Sequence, residues 1–305
     1  MLARMNTHAR PVQDRAETAA APAAKPTSGS TRLPTLFVSH GSPMFALEPG
    51  QTGAALRAWA ARLPLRPRGI VLASAHWMTR GPTVMTAAQP QTWHDFGGFP
   101  PELYALQYPA PGDPGLAQGV LQSLRAAGLN AHADPRRPFD HGAWVPLMHL
   151  FPAADVPVVQ LSLPAVAAAG VYALGRALSD WTAHGVLLIG SGSMTHNLQD
   201  FFGGAGRADA PLPYVEAFRG YVEDAVRRVD VDALLHWDIR APEAARAHPS
   251  DEHFLPLFFA LGAAGWGAAP VDVEWLSHEI IGGALARDAL ALQARAYERK
   301  PVSAR

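Results

Sequence analysis

Three histidines in this chain stand where apolar runs stop. In Pro-Thr-Leu-Phe-Val-Ser-His-Gly-Ser-Pro-Met (34–44), Thr35 to Val38 reads as a short buried strand that halts at His40. Gly41-Ser42-Pro43 then turns the backbone sharply. Gly-Ile-Val-Leu-Ala-Ser-Ala-His (69–76) repeats the design with His76, and Val-Leu-Leu-Ile-Gly-Ser-Gly-Ser-Met-Thr-His (186–196) repeats it with His196. Ligands of an α/β sheet collect outside the carboxyl ends of its strands, so a histidine placed there is aimed at a crevice. One such residue is equally a strand-end imidazole satisfied by a loop carbonyl. Three of them suggest one shared site.

The chemistry open to such a site is narrowed by what the chain lacks. It has thirteen histidines and no cysteine, which excludes disulfides, thiolate zinc sites, iron–sulfur clusters and cysteine nucleophiles. Any metal is therefore held by nitrogen and oxygen, and imidazole suits zinc, iron, copper and nickel. The candidate ligands are His40, His76, His196, His253, Glu252 and His141. A catalytic centre would use three of them and keep positions open. No local H-E-x-x-H is present, no G-x-G-x-x-G follows the first strand, and no phosphate-loop or G-x-S-x-G pattern occurs.

The elements that must position these residues alternate between strand and helix. Helical spacing runs over 54–63, and residues 114–128 begin with Pro114 and end with Gly128. Phe139 to Trp144 turns into an apolar helix through Leu150, residues 166–183 are an alanine-rich helix, and 214–228 are amphipathic. Further strands are expected at 129–133 (an edge), 155–163, 185–191 and 271–275. Residues 81–113 form a long proline- and glycine-rich loop carrying Trp93, His94, Phe96, Phe99, Tyr104 and Tyr108, as a lid or binding wall would. Residues 202–211 read as disordered or lid-like. The fold class is α/β, a single domain with a central mostly parallel or mixed sheet flanked by helices.

Composition agrees with one large domain. Of 305 residues 49% are hydrophobic, and 25 basic against 26 acidic residues leave no basic block for nucleic acid or an anionic membrane. Residues 1–33 have neither the apolar core of a secretory signal nor an adjacent arginine pair, and read as a disordered leader. The domain then spans 34–296, followed by a flexible tail at 297–305. Phe254 to Val271 is uncharged over eighteen residues, but Pro256 and its glycines make it a buried helix and turn rather than a membrane span. A soluble cytoplasmic protein is expected.

Seven segments together resemble a known family. They are Ser39-His40-Gly41-Ser42-Pro43-Met44, Ser74-Ala75-His76-Trp77, His94-Asp95-Phe96-Gly97-Gly98-Phe99-Pro100 and Tyr108-Pro109-Ala110-Pro111-Gly112, continued by Asp140-His141-Gly142-Ala143-Trp144, Gly192-Ser193-Met194-Thr195-His196-Asn197-Leu198 and His248-Pro249-Ser250-Asp251-Glu252-His253-Phe254. In this order they resemble the class III extradiol ring-cleavage dioxygenases, most closely the DOPA 4,5-dioxygenase-type branch, from about Leu33 to near Trp275. The resemblance implies a non-haem Fe(II) enzyme, with zinc as a possible occupant after purification, that opens a catechol ring beside the diol with dioxygen. It implies His40, His76 and His253 as metal ligands, with Glu252 as the alternative third ligand. It further implies His196 as acid/base and candidate additional ligand, and His141 over the substrate and oxygen pocket.

His94, Tyr104 and Tyr108 are candidate substrate-binding residues on the long loop. Asp140 is expected to orient a loop. His248 is expected either to support the site or to begin a helix, and His8, His132, His149, His184, His236 and His278 to be surface or core. Two other functions fit the same residues. In a zinc-dependent hydrolase His196 would deprotonate a bound water, and a non-enzymatic metal-binding interaction protein would have its pocket blocked. Oligomeric state and ring substituents are not specified by the residues.

Overall fold

The computed structural model describes residues 32–203 and 210–295. The expected tail, all but the last two residues of the expected leader, and 204–209 of the expected lid lie outside them. Eight strands are β1 (Thr35–Ser39), β2 (Gly69–Thr79), β3 (Thr83–Met85), β4 (His132–Asp134), β5 (Val158–Pro164), β6 (Val186–Gly192), β7 (Val271–Ile281) and β8 (Leu285–Ala294). The helices are α1 (Gly50–Ala61), α2 (Pro101–Tyr104), α3 (Pro114–Ala126), α4 (His141–Leu150), α5 (Ala168–Leu178) and α6 (Leu198–Phe202). They continue with α7 (Pro213–Arg228), α8 (Val231–Leu235), α9 (Trp237–Arg240), α10 (Ala244–Ala247) and α11 (Leu255–Ala264).

The strands form one mixed sheet in the order β4-β3-β5-β2-β6-β1-β8-β7. Its centre, β5-β2-β6-β1, is parallel, while β8 runs antiparallel to β1 and β7 antiparallel to β8. Side chains alternate between the two faces, as the pleat requires. Leu36, Val38, Ile70, Leu72, Leu187 and Ile189 face the core beneath α1 and α4, and Phe37, Val71 and Leu188 face the core beneath α3, α5, α7 and α11. Both faces of the central strands are thus dry, which is why these runs are continuously apolar. Among the described residues no helix is long and apolar enough to cross a membrane.

Helix ends are set locally. Asp113 caps α3 through Leu116 N at 2.9 Å, with Pro114 in the first turn. The apolar stretch after His253 is α11, buried along its whole length and closed by Gly265 at φ 75°. The expected edge strand is β4, one residue further on than expected at its end. The expected strand at 271–275 is longer, running to Ile281 and returning as β8 against β1. The 81–113 loop is also less irregular than expected, since it contains β3 and α2.

Helix α11 is seated on β6 at backbone distance. A Cβ on Gly190 would lie 2.0 Å from the Pro256 carbonyl oxygen, and one on Gly192 would lie 2.1 Å from that of His253. Gly190→Ala therefore forces β6 and α11 apart, and a loss of about 1–3 kcal/mol is expected. Urea unfolding should show a lower midpoint with an unchanged slope. A wild-type midpoint would contradict this packing.

Candidate metal centre

The parallel centre of the sheet delivers the histidines. His40 follows the last residue of β1, and its N–H continues the ladder onto Gly192 O at 2.9 Å. His76 differs from expectation: β2 does not end there but runs on to Thr79. Its register against β5 slips between Ser74 and Met78, and this bulge swings His76 out of the sheet. His196 lies four residues past β6, its N–H bonded to Ala247 O at 2.8 Å. His253 sits just before α11, and its carbonyl accepts from Ser193 N at 2.7 Å. The ring nitrogens of His40, His76 and His253 offer three ligand atoms within 4.8 Å of one another.

Hydrogen bonds behind these rings decide which nitrogen faces inward. Ser191 Oγ donates to Gly142 O at 2.5 Å, so it accepts from His40 Nδ1–H at 3.0 Å. His253 Nδ1–H donates to Glu252 Oε1 at 2.9 Å. Each leaves Nε2 as a bare lone pair. Nε2 of His40 and Nε2 of His76 are 2.9 Å apart, a separation stable only with a proton or cation between them. Two imidazoles at right angles about one ion, each at about 2.1 Å, would have nitrogens about 3 Å apart. The donor set thus fits a metal.

Burial keeps His40, His76 and His196 neutral, the form that ligates. His40 and His76 are pushed well below the usual imidazole range, first by burial and then by neighbouring histidines. Burial, with His253 and His248 adding to it, lowers His196 to about 3. The His253 hydrogen bond lowers Glu252 to about 2 against an opposing effect of burial.

His196 stacks on His253 with ring centroids 3.5 Å apart. His196, Glu252 and His253 offer a further group of ligand atoms within 4.8 Å, as do His76, Asp95 and His141. His141 opens α4, and Asp95 Oδ1 accepts both its backbone N–H and its Nδ1–H at 2.9 Å. That leaves its Nε2 for the cavity. Asp95 is pulled below the usual carboxylate range: burial raises it, but the bonds from His141 outweigh this. No role for Asp95 or Ser191 was evident from the chain, because each anchor is distant in sequence from the histidine it holds.

His76, His141, His196 and His253 line a cavity of about 1060 Å³. The loop residues that wall it are Phe96, Gly97, Gly98 and Phe99, and the three expected substrate contacts do not line it. His94 and Tyr104 pack their rings behind Phe96, with His94 Nε2–H donating to Leu106 O at 3.1 Å. Tyr108 is buried and its hydroxyl donates to Phe151 O at 3.0 Å, so it is a core residue. His248 is buried and donates from Nε2 to Met194 O at 2.9 Å, tying its segment to the one that carries His196. It supports the site from behind.

Asp140 does orient a loop, and more besides. Fully buried, it caps α4 through Ala143 N at 3.2 Å and accepts from Ser74 Oγ at 2.7 Å, from Gln160 and from Arg137 Nη2 at 2.5 Å. Arg137 also donates to His76 O at 3.2 Å and lies between the faces of Trp77 and Trp93. One carboxylate therefore couples the His76 bulge to the His141 helix. Asp140→Ala would leave the Arg137 charge buried without its partner, and a loss of about 3–5 kcal/mol is expected in urea unfolding. Asp140→Asn, which keeps the cap acceptor, should lose less; equal stability of all three proteins would contradict this role.

The wider comparisons agree with this geometry. The family described as the catalytic LigB subunit of aromatic ring-opening dioxygenase matches residues 34–287. A 4,5-DOPA dioxygenase extradiol of Beta vulgaris is 39% identical over 235 residues, 76% of this chain and 87% of its own length. One from Escherichia coli (strain K12) is 38% identical over 251 residues, 80% and 89% of the two chains. The crystal structure of an uncharacterised Escherichia coli K12 protein matches with a TM-score of 0.70 at 32% identity, covering 85% of this chain and 99% of that one. Such enzymes imply a catalytic metal, an aromatic substrate and dioxygen, and the histidine cluster supplies donors for the first. The chain belongs to the LigB family of aromatic ring-opening dioxygenases, as an extradiol enzyme.

Proposed function

We propose that His40, His76 and His253 hold one Fe(II) ion per chain, and that the enzyme opens a catechol ring beside its diol. One observation carries this reading: three ring nitrogens converge within 4.8 Å, two with their outer nitrogens already engaged, beside a cavity walled by aromatic residues. When bound, the ion supplies Lewis acidity and orients the diol and dioxygen.

The chain's own groups do the rest. His196, neutral at working pH and at the cavity wall, takes a proton from the second hydroxyl and later returns it. His141, locked by Asp95, hydrogen-bonds the oxygen end of the ring through Nε2. Phe96 and Phe99 hold the ring plane by apolar and edge-to-face contact. The carbon–carbon bond next to the diol breaks, both atoms of dioxygen enter the product, and the catechol supplies all four electrons. No external reductant is needed. The same nitrogen set accepts Zn(II), so protein prepared without iron is expected to carry zinc and be inactive.

His40→Ala, His76→Ala and His253→Ala should each lose the metal with the fold retained, measured by metal analysis and circular dichroism. Loss in Glu252→Ala but not in His253→Ala would make the carboxylate the third ligand. Ser191→Ala should weaken metal binding about 10–100-fold, because His40 loses the acceptor that fixes its tautomer.

His196→Ala should keep metal and catechol binding while turnover falls about a hundredfold to ten-thousandfold. After anaerobic Fe(II) loading, an oxygen electrode should record one dioxygen per catechol with a yellow ring-opened semialdehyde. A colourless muconate would mean cleavage between the hydroxyls. Tight catechol binding without oxygen uptake would sink the proposal.

A further inference from the structure

The cavity beside the histidines is large, and its outer walls are apolar. Its outer walls are Phe96, Phe99, Leu198, Phe201, Phe202 and Ile281. Among the described residues no lysine or arginine lines it, whereas the acids Glu48 and Glu252 do. Glu252 is occupied by His253 and by Ser250, whose hydroxyl donates to it at 2.9 Å. Glu48 is exposed at the mouth. Leu198 and Phe202 leave 44% and 76% of their surface uncovered, so the rim is apolar as well.

One arginine lies close by and is committed elsewhere. Arg287 lines the adjoining smaller cleft, behind Gly41, where its Cδ is 3.2 Å from the position a Cβ would take. Its Nε and Nη2 donate to Glu279 Oε2 at 3.1 and 2.6 Å, and its guanidinium lies over Phe45. Glu279 in turn accepts from Thr52 N and Thr52 Oγ1. Recruiting Arg287 to a substrate would strip this buried network of its cation.

A carboxylate carried along the outer walls would lose water without gaining a cationic side chain among the described residues, and would approach Glu48. An apolar substituent meets no such opposition and covers the aromatic walls. Size agrees. At about 1060 Å³ the cavity stands at the upper end of the usual range of about 300–1,000 Å³ for small-molecule clefts. A single substituted ring would leave most of it unfilled.

We propose that the substrate is a catechol bearing an extended, uncharged apolar group, aryl or long alkyl, rather than a carboxylate side chain. This rests on the ring-opening site described above and keeps its stoichiometry: one dioxygen per ring, both atoms retained, the same carbon–carbon bond broken. The substituent lies along Phe99, Leu198 and Phe202 and takes no part in the chemistry.

The test uses the full chain, loaded with Fe(II) and verified by metal analysis. Oxygen uptake is measured on catechol, 4-phenylcatechol, 4-butylcatechol and 3,4-dihydroxyphenylacetate. The phenyl and butyl compounds should exceed dihydroxyphenylacetate at least tenfold in kcat/KM, chiefly through KM, with unsubstituted catechol between. Phe202→Ala should raise KM for 4-phenylcatechol more than for catechol, and Leu198→Arg should shift the ratio toward dihydroxyphenylacetate. Equal or better turnover of dihydroxyphenylacetate by the wild type overturns the substituent assignment while ring opening stands. So does a ratio that Leu198→Arg leaves unmoved. No uptake with any of the four compounds overturns ring opening itself, and this assignment with it.

Discussion

The arrangement on which the rest depends is the close approach of two imidazoles. Nε2 of His40 and Nε2 of His76 are held 2.9 Å apart, and the bond from His40 Nδ1 to Ser191 leaves the first of them a bare lone pair. A neutral His76 with its proton on Nε2 donates to that lone pair, and a metal cation placed between the rings would take that proton's place. Burial and the neighbouring imidazoles oppose a second proton, pushing both residues well below the usual histidine range. Both rings thus stay in the neutral form that a metal takes as ligand. In the proposed centre the fold holds the ligand geometry in advance rather than waiting for the ion to impose it.

Holding that geometry requires rigid surroundings on every side. The parallel ladder of β1, β6 and β2 fixes where His40 and His76 emerge, with Ser39 opposite Gly192 and Ser74 opposite Ser191. In Gly190-Ser191-Gly192-Ser193 the glycines admit the backbone at the start of α11 and just before it, while Ser191 points the other way to His40. On the far wall, His196 N–H to Ala247 O, His248 to Met194 O and Asn197 to Arg246 O stitch two segments into one unit. A small displacement of α11 would therefore move His253 and the Ser193–Asn197 turn together.

Much of this was legible in the chain, for physical reasons that also mark its limits. Apolar strands that stop at a small residue and a histidine leave a local signal, so β1, β6 and the start of β2 were visible. Strand β8 was not, because Leu-Ala-Arg-Asp-Ala-Leu-Ala-Leu-Gln-Ala is built from helix formers with no β-branched residue. Only its pairing with β1 and β7 makes it a strand, and Asp288 inside it pairs through Oδ1 with Arg219 and His278 from elsewhere in the fold. Aromatic type in the long loop likewise could not tell wall from filler. Phe96 faces the cavity, whereas Tyr108 is turned into the core by a bond to Phe151 O. The anchors Ser191 and Asp95 were silent because their partners lie 151 and 46 positions away.

The choice between His253 and Glu252 as third donor takes a different form once both are seen. The carboxylate is not discarded: it accepts Nδ1–H of His253 at 2.9 Å, and its own proton affinity falls to about 2 in doing so. A carboxylate behind a ligating imidazole fixes its tautomer and raises its basicity. In the proposed centre the negative charge that a two-histidine, one-carboxylate set places directly on the ion stands one ring further back. A cation bound by three neutral nitrogens keeps more of its charge for a bound diolate. Glu252, from behind, still steadies His253 against turning away. In the proposed centre the adjacent pair Glu252-His253 is thus one ligand with its support, and neither residue alone accounts for the position.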